Sequence, residues 1–191
     1  MTHGELQALF EAYVPWNEQE RNDRELALQA FRCFDDLLTR ENTILHLCAS
    51  PWIISRDHRQ VLLVYHRLYD SWGWSGGHCD GDGVLWRVAK REGMEESGIA
   101  SLVLADERPI GIDVLSVPRH HKNGALVSAH LHLNVTYLFY GDPALSLSHK
   151  ADEVRGARWF DVEAIPRIVK EKAMLPVDAK LCERARARCS I

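Results

Sequence analysis

The pattern of apolar residues predicts an α+β protein built on a mixed β-sheet. Helix-spaced apolar stripes occupy both ends of the chain, and strand-like runs fill its middle. Between two groups of those strands lies a short helix with glutamates at i, i+3 and i+4.

Taken in order, residues 4–40 read as helical. Leu6, Leu9, Phe10 and Tyr13 form one apolar set, ended by Pro15; Leu26, Leu28, Phe31, Phe34, Leu37 and Leu38 form another. Such stripes are core-packing helices by default, so residues 1–42 are expected to form an N-terminal helical extension packed on a core of residues 43–191. Ile44 to Ile54 and Gln60 to His66 read as strands around a turn at Ser55 to Arg59. Asp70 to Gly77 is a glycine-rich loop leading to the glutamate helix. Arg108 to Val117 and Ala129 to Tyr140 are strand-like, joined by a polar loop from Pro118 to Ser128. Trp159-Phe160 closes another short strand, and Ala164 to Lys170 and Val177 to Arg188 read as helices. No repeat, low-complexity tract or linker divides the 191 residues, so one domain is expected.

The glutamate helix carries the chemistry. On a wheel starting at Val84, the apolar residues Val84, Leu85, Val88 and Ala89 span roughly 0° to 140°, and Glu92, Glu95 and Glu96 fall at roughly 80°, 20° and 120°. The carboxylates therefore continue the inward stripe, with Arg87, Lys90 and Arg91 on the other side. A solvated acidic surface would show the opposite arrangement. Three inward carboxylates are costly unless a cation sits among them, and a hard divalent ion with oxygen ligands is the natural candidate.

The stretch from Gly77 to Ile99 resembles the Nudix box, Gly-x5-Glu-x7-Arg-Glu-U-x-Glu-Glu-x-Gly-U, where U is a bulky aliphatic residue. Gly77, Arg91, Glu92, Glu95, Glu96, Gly98 and Ile99 fall on the required positions. A chance match to the Arg-Glu-x-x-Glu-Glu-x-Gly core is on the order of one in 10⁵ for such a chain. Gly83 stands where the first Glu belongs and Gly93 where the aliphatic belongs. Asp82, one residue earlier, can substitute for the missing Glu or cap the helix. Upstream, Trp72 and Gly76-Gly77 match a family loop of the form Trp-x-x-Pro-Gly-Gly, with Ser75 in place of proline.

The resemblance implies an α/β/α sandwich and a magnesium-dependent (or manganese-dependent) pyrophosphohydrolase acting on a nucleoside diphosphate linked to another moiety. It implies Glu92, Glu95 and Glu96 as metal ligands together with the Gly76 carbonyl, and Arg91 as the residue orienting them. It also puts forward Glu153, a loop acid, as a candidate base alongside Glu95 and Glu96. Two other readings compete: a non-catalytic nucleotide-binding or regulatory module, motivated by Gly83 and Gly93, and an isoprenoid-diphosphate isomerase-like enzyme, for which Cys48 is the only encouragement. Dimers are common in the family, so a homodimer is one expected assembly.

Other residues carry weaker signals. His130 and His132 alternate by two and share one strand face. No third metal ligand is evident from spacing, so a hydrogen-bonded pair at a site edge is the expected reading. His120-His121-Lys122 can meet phosphate or simply be solvated, and Asp113 is a candidate to face the cleft. Trp72, Trp74 and Trp86 can stack on a base, although packing is the default for each. Arg184, Arg186 and Arg188 are expected on an exposed helix face. Specificity is expected in the Pro118 to Ser128 loop, the Glu153 loop and the N-terminal helices. A net charge of −4 gives no electrostatic case for nucleic acid. Five cysteines without CxxC pairing point to reduced thiols, and neither a bilayer-spanning run nor a secretory h-region is present, so a cytoplasmic protein without membrane partners is expected.

Overall fold

Ten consecutive buried residues, Leu45–Ile54 (β1), form the middle of the sheet. The computed structural model describes residues 1–122, 124–149 and 154–188. β1 runs parallel to His130–Tyr140 (β9) in unbroken register from Leu45 opposite Leu131 to Ile54 opposite Tyr140. The remaining pairings are antiparallel: Gln60–His66 (β2) on β1, Ser71–Gly73 (β3) on β2, and Gly77–His78 (β4) on β1. Val103–Leu104 (β5) and Gly111–Val117 (β6) pair with β9, and Val154–Asp161 (β10) pairs with β2. His120–Lys122 (β7) and Ala125–Val127 (β8) form a separate hairpin. The sheet is mixed, as expected, and both of its faces are covered. A strand buried on two faces needs apolar residues throughout rather than alternation.

One face carries Leu47, Ala49, Leu133, Val135 and Tyr137, packed against Leu85–Ser97 (α3) and the helices His3–Ala12 (α1) and Glu18–Cys33 (α2). The other carries Trp52, Ile54, Val61, Leu63 and Leu138, packed against Ile165–Ile168 (α4) and Leu175–Arg188 (α5). α1 opens on a capping box between Thr2 and Glu5, and the Asn17 side chain caps α2 by accepting the Glu20 N–H at 2.9 Å.

A buried polar network ties the N-terminal helices to the core. The fully buried Glu20 carboxylate accepts from Tyr13 Oη (2.8 Å) and the Trp16 N–H (2.7 Å), and it pairs with Lys180 Nζ (2.9 Å) and Arg184 (3.1 Å). Lys180 also donates to the buried Asp113 at 2.5 Å. Asp113 therefore faces inward to Lys180 rather than the cleft. Arg184 and Arg188 are likewise drawn inward, onto Glu20 and Asp106. Of the three C-terminal arginines only Arg186 is exposed as expected. Two element boundaries also differ from the sequence reading. α2 stops at Cys33 because Phe34 is extended and the chain then turns, so that the buried Leu37 accepts the Leu47 N–H on its carbonyl at 2.7 Å. α4 is a single turn with Pro166 near its start, and the polar loop at 118–128 holds the β7–β8 hairpin. No helix among the described residues is long and apolar enough to cross a membrane.

Candidate active site

Side chains on alternate positions of β1 point to one face. Toward one end of β1 that face is covered by α4 and α5 over Trp52 and Ile54; at the other end His46, Cys48 and Ser50 lie on the floor of a cavity of about 1260 Å³. β9 continues the floor with His130, His132 and Asn134, and Asn134 accepts the Ser50 hydroxyl at 2.7 Å. β7 and β8 contribute His120, His121, Leu126 and Val127 to the wall, while Trp72, Trp74 and Asp178 line another part. Trp74 is nearly buried against Trp52, whereas half-buried Trp72 meets Tyr65 and Phe160 edge-on. Trp86 packs against the apolar core instead.

The carboxylates of α3 enter the same cavity past β4. Glu92, Glu95 and Glu96 all line it. Glu96 is 7% exposed and its Oε2 accepts the Gly76 N–H at 3.3 Å. The Glu92 carboxyl lies directly under Gly77, so a Cβ there would overlap it, and one at Gly76 would overlap Ser50 Oγ. Arg91 pairs with Glu92 at 3.0 Å and reaches the His78 carbonyl at 3.5 Å. Glu95 is the exposed member. The inward placement expected from the wheel holds for Glu96 and largely for Glu92. Glu95 lines the cavity while staying exposed. Glu153 lies outside the described residues.

Residues 45–184 match the NUDIX domain family. The chain belongs to that family. No curated protein sequence matches it. Among solved structures, it is similar to a NUDIX hydrolase from Nitrosomonas europaea at 21% identity, covering 74% of this chain and 88% of that one with a TM-score of 0.51. It is also similar to the MutT protein from Methanosarcina mazei Go1 at 18% identity, covering 76% and 96% with a TM-score of 0.52. A third likeness is to the E. coli dihydroneopterin triphosphate pyrophosphohydrolase, at 15% identity, 73% and 96% coverage and a TM-score of 0.50. These likenesses bear on the fold, and family membership makes the chain a Nudix-type hydrolase, a class acting on phosphoric anhydride bonds.

Both departures from the Nudix box have local packing reasons. A Cβ at Gly93 would lie 2.8 Å from Pro51 Cγ and 3.1 Å from the Ile53 and Leu102 methyls, so α3 approaches β1 too closely for an aliphatic residue. A Cβ at Gly83 would overlap the backbone of Met1. Asp82 takes the loop role: it accepts the Val84 N–H at 2.9 Å and pairs with Arg87 at 2.9 Å, tying the entry to α3 without capping the helix itself. Glu92, Glu95 and Glu96 all remain in the cavity despite both departures.

What sequence spacing missed is a second group on the cavity floor. His46, Cys48, His78 and His132 gather there, with His130 beside them. Burial first, then the neighbouring His78, His46 and His130, push the His132 imidazole down to about 3, and burial also lowers His46. Burial drives the Cys48 thiol well above its ordinary value. The i, i+2 alternation of His46 and Cys48 is visible in the sequence. Their meeting with His78 and His132 depends on strand register, which is not.

Proposed function

We propose that the protein is a divalent-metal-dependent pyrophosphohydrolase that cleaves the diphosphate of a nucleoside diphosphate linked to another moiety. The observation that carries this reading is the convergence of Glu92, Glu95 and Glu96 on one large cavity beside the Gly76–Gly77 backbone. The donor set suits magnesium or manganese: oxygen-only, anionic and partly water-accessible, with a glycine pair letting the main chain come close. Glu92, Glu95, Glu96 and the Gly76 carbonyl would hold the ion. When bound, it would neutralise diphosphate charge and raise the acidity of a coordinated water.

The chain's own residues do the remaining work. Arg91 holds Glu92 by a charge-assisted hydrogen bond, fixing its carboxylate under Gly77. The Gly76 N–H fixes Glu96 from the other side. Glu95, more exposed than Glu92 and Glu96, is the box carboxylate we assign to receive the water proton, with Glu153, outside the described residues, the other candidate. The β7–β8 hairpin and the Trp72–Trp74 wall would contact the nucleoside and the linked moiety, since both line the cavity. The test is magnesium- and manganese-dependent hydrolysis of a panel of nucleotide sugars, dinucleoside polyphosphates, dinucleotides and nucleoside triphosphates. Turnover of one class, reduced by several orders of magnitude in Glu95→Gln and Glu96→Gln proteins that keep their circular dichroism, supports the reading. Equal rates in the wild type and both variants would sink it.

A further inference from the structure

The histidine and cysteine side chains on the cavity floor form a constellation separate in chemistry from the box carboxylates. His46 and Cys48 project from β1 to the same face. His132 stands beside His46 in the parallel β1–β9 register, and His78 stands opposite Cys48 on β4. One ligand atom from each of the four lies within 4.8 Å of every other. The three imidazole rings are 4.9–5.0 Å apart between centroids. In a tetrahedral site with metal–nitrogen and metal–sulfur distances near 2.05 and 2.3 Å, neighbouring donors sit about 3.3–3.6 Å apart. The four side chains therefore need to close by only about 1 Å to meet a common ion.

Two further observations point to a ligand. His46 Nδ1 lies 2.9 Å from the Asn42 carbonyl, so the proton resides on Nδ1 and Nε2 presents its lone pair. That Nε2 is buried and has no hydrogen-bond partner among the described residues. An imidazole held by a backbone carbonyl through one nitrogen, with the other left to take a ligand, is the arrangement found around metal-bound histidines. His130 provides a matching support: its Nδ1 is 2.8 Å from the Ser128 carbonyl and its Nε2 is 3.2 Å from His132 Nε2. With its proton on Nδ1, His130 accepts from His132 and fixes that ring's tautomer. Cys48 belongs to neither apolar core cluster, unlike Cys79, which faces the core.

We infer that His46, Cys48, His78 and His132 bind one borderline divalent cation of the zinc class in a closed site of four protein ligands, with His130 as a positioning residue. Three imidazoles and a thiolate favour zinc over magnesium, which prefers oxygen. On binding, the thiol proton leaves to solvent and the sulfur–metal bond forms. Four protein donors leave no open position, so the role is structural. The ion joins β4 to β1 and β9. His78 lies in β4 next to Gly77, and Gly77 rests on Glu92 on the opposite face of the strand. Fixing β4 from one side thus fixes the backbone on which the carboxylates depend from the other.

The test uses the full chain stripped with a chelator and titrated with cobalt(II) in the absence of magnesium. One equivalent is expected to give visible bands of tetrahedral intensity and a near-ultraviolet thiolate-to-cobalt charge-transfer band. The charge-transfer band should be lost in Cys48→Ser, kept in Cys182→Ser, and unchanged in Glu95→Gln and Glu96→Gln. Zinc-edge X-ray absorption on the wild-type protein, needing no variant, should show one sulfur and three nitrogen scatterers. Weak octahedral bands that disappear with the glutamate substitutions, a zinc shell without sulfur, or no stoichiometric binding would each overturn the proposal. None of these readouts depends on hydrolysis, so the activity reading stands or falls separately.

Discussion

Asp178 gives the most quantitative expectation in the molecule. It lies on α5 at the cavity wall, 2% exposed, with both carboxylate oxygens buried and without a hydrogen-bond partner among the described residues. Burial, and then the charge of Glu171, push its carboxyl from an ordinary 3.8 up to about 7. A carboxyl with a raised native pKa favours the fold when protonated. That contribution is complete below 3.8 and is lost as pH rises through about 7. At about 1.4 kcal/mol per tenfold change in proton affinity, the ionised group costs roughly 4 kcal/mol at pH 8, of which about 2 is already present at pH 5. Against a typical domain stability of about 5–15 kcal/mol this is a large penalty. Asp178→Asn removes the charge but leaves a buried amide, which costs about 1–3 kcal/mol if unpaired. The variant is therefore expected to match or slightly trail the wild type at pH 5 and to exceed it by about 2 kcal/mol at pH 8. Urea denaturation of both proteins at the two pH values measures this directly, and comparing the difference between proteins cancels the other titrating groups. Parallel pH dependence in the two proteins would refute the argument, because it would mean that Asp178 is solvated or paired in the native state.

Two other substitutions test the frame around the site. Gly93→Leu restores the aliphatic residue usual in the Nudix box, yet it should destabilise by about 3 kcal/mol through overpacking against Pro51, Ile53 and Leu102, lowering Tm by about 6–12 °C in calorimetry; a higher Tm would show that α3 can move off β1 freely. Lys180→Met leaves Glu20 and Asp113 as buried carboxylates without their shared lysine and should cost about 3–5 kcal/mol in urea denaturation, partly recovered by adding Asp113→Asn.

The difference between what the sequence disclosed and what it concealed follows from the range of the interactions. The box carboxylates were legible because a helix places i, i+3 and i+4 on one face, and Glu92, Glu95 and Glu96 indeed share one cavity. β1 and β2 were legible for a similar reason: dense apolar runs bounded by a polar turn specify themselves locally. The Asp113–Lys180 pair was not, because the two are 67 residues apart and Asp113 alone reads as a strand residue facing the cleft. Gly93 looked like a defect of the motif, since nothing near it in sequence reveals Pro51 at the helix–sheet contact. The histidines show the boundary most sharply. His130 and His132 offered a pair by alternation and lacked a third partner, because that partner comes from register: His46 beside His132, and His78 opposite Cys48. A shift of one residue would send His132 and His130 (in the β1–β9 pairing) or His78 (in the β1–β4 pairing) to the opposite face. The same argument makes the cluster a check on the fold. A His46 Nε2 buried with no partner among the described residues is unfavourable, so the registers that assemble the cluster are sustained either by the surrounding apolar packing or by a ligand. Apolar packing accounts for the positions facing α3, Leu47, Ala49 and Val135, but His46 and Cys48 belong to neither apolar cluster, and His46 Nε2 has no partner among the described residues. A bound cation supplies it.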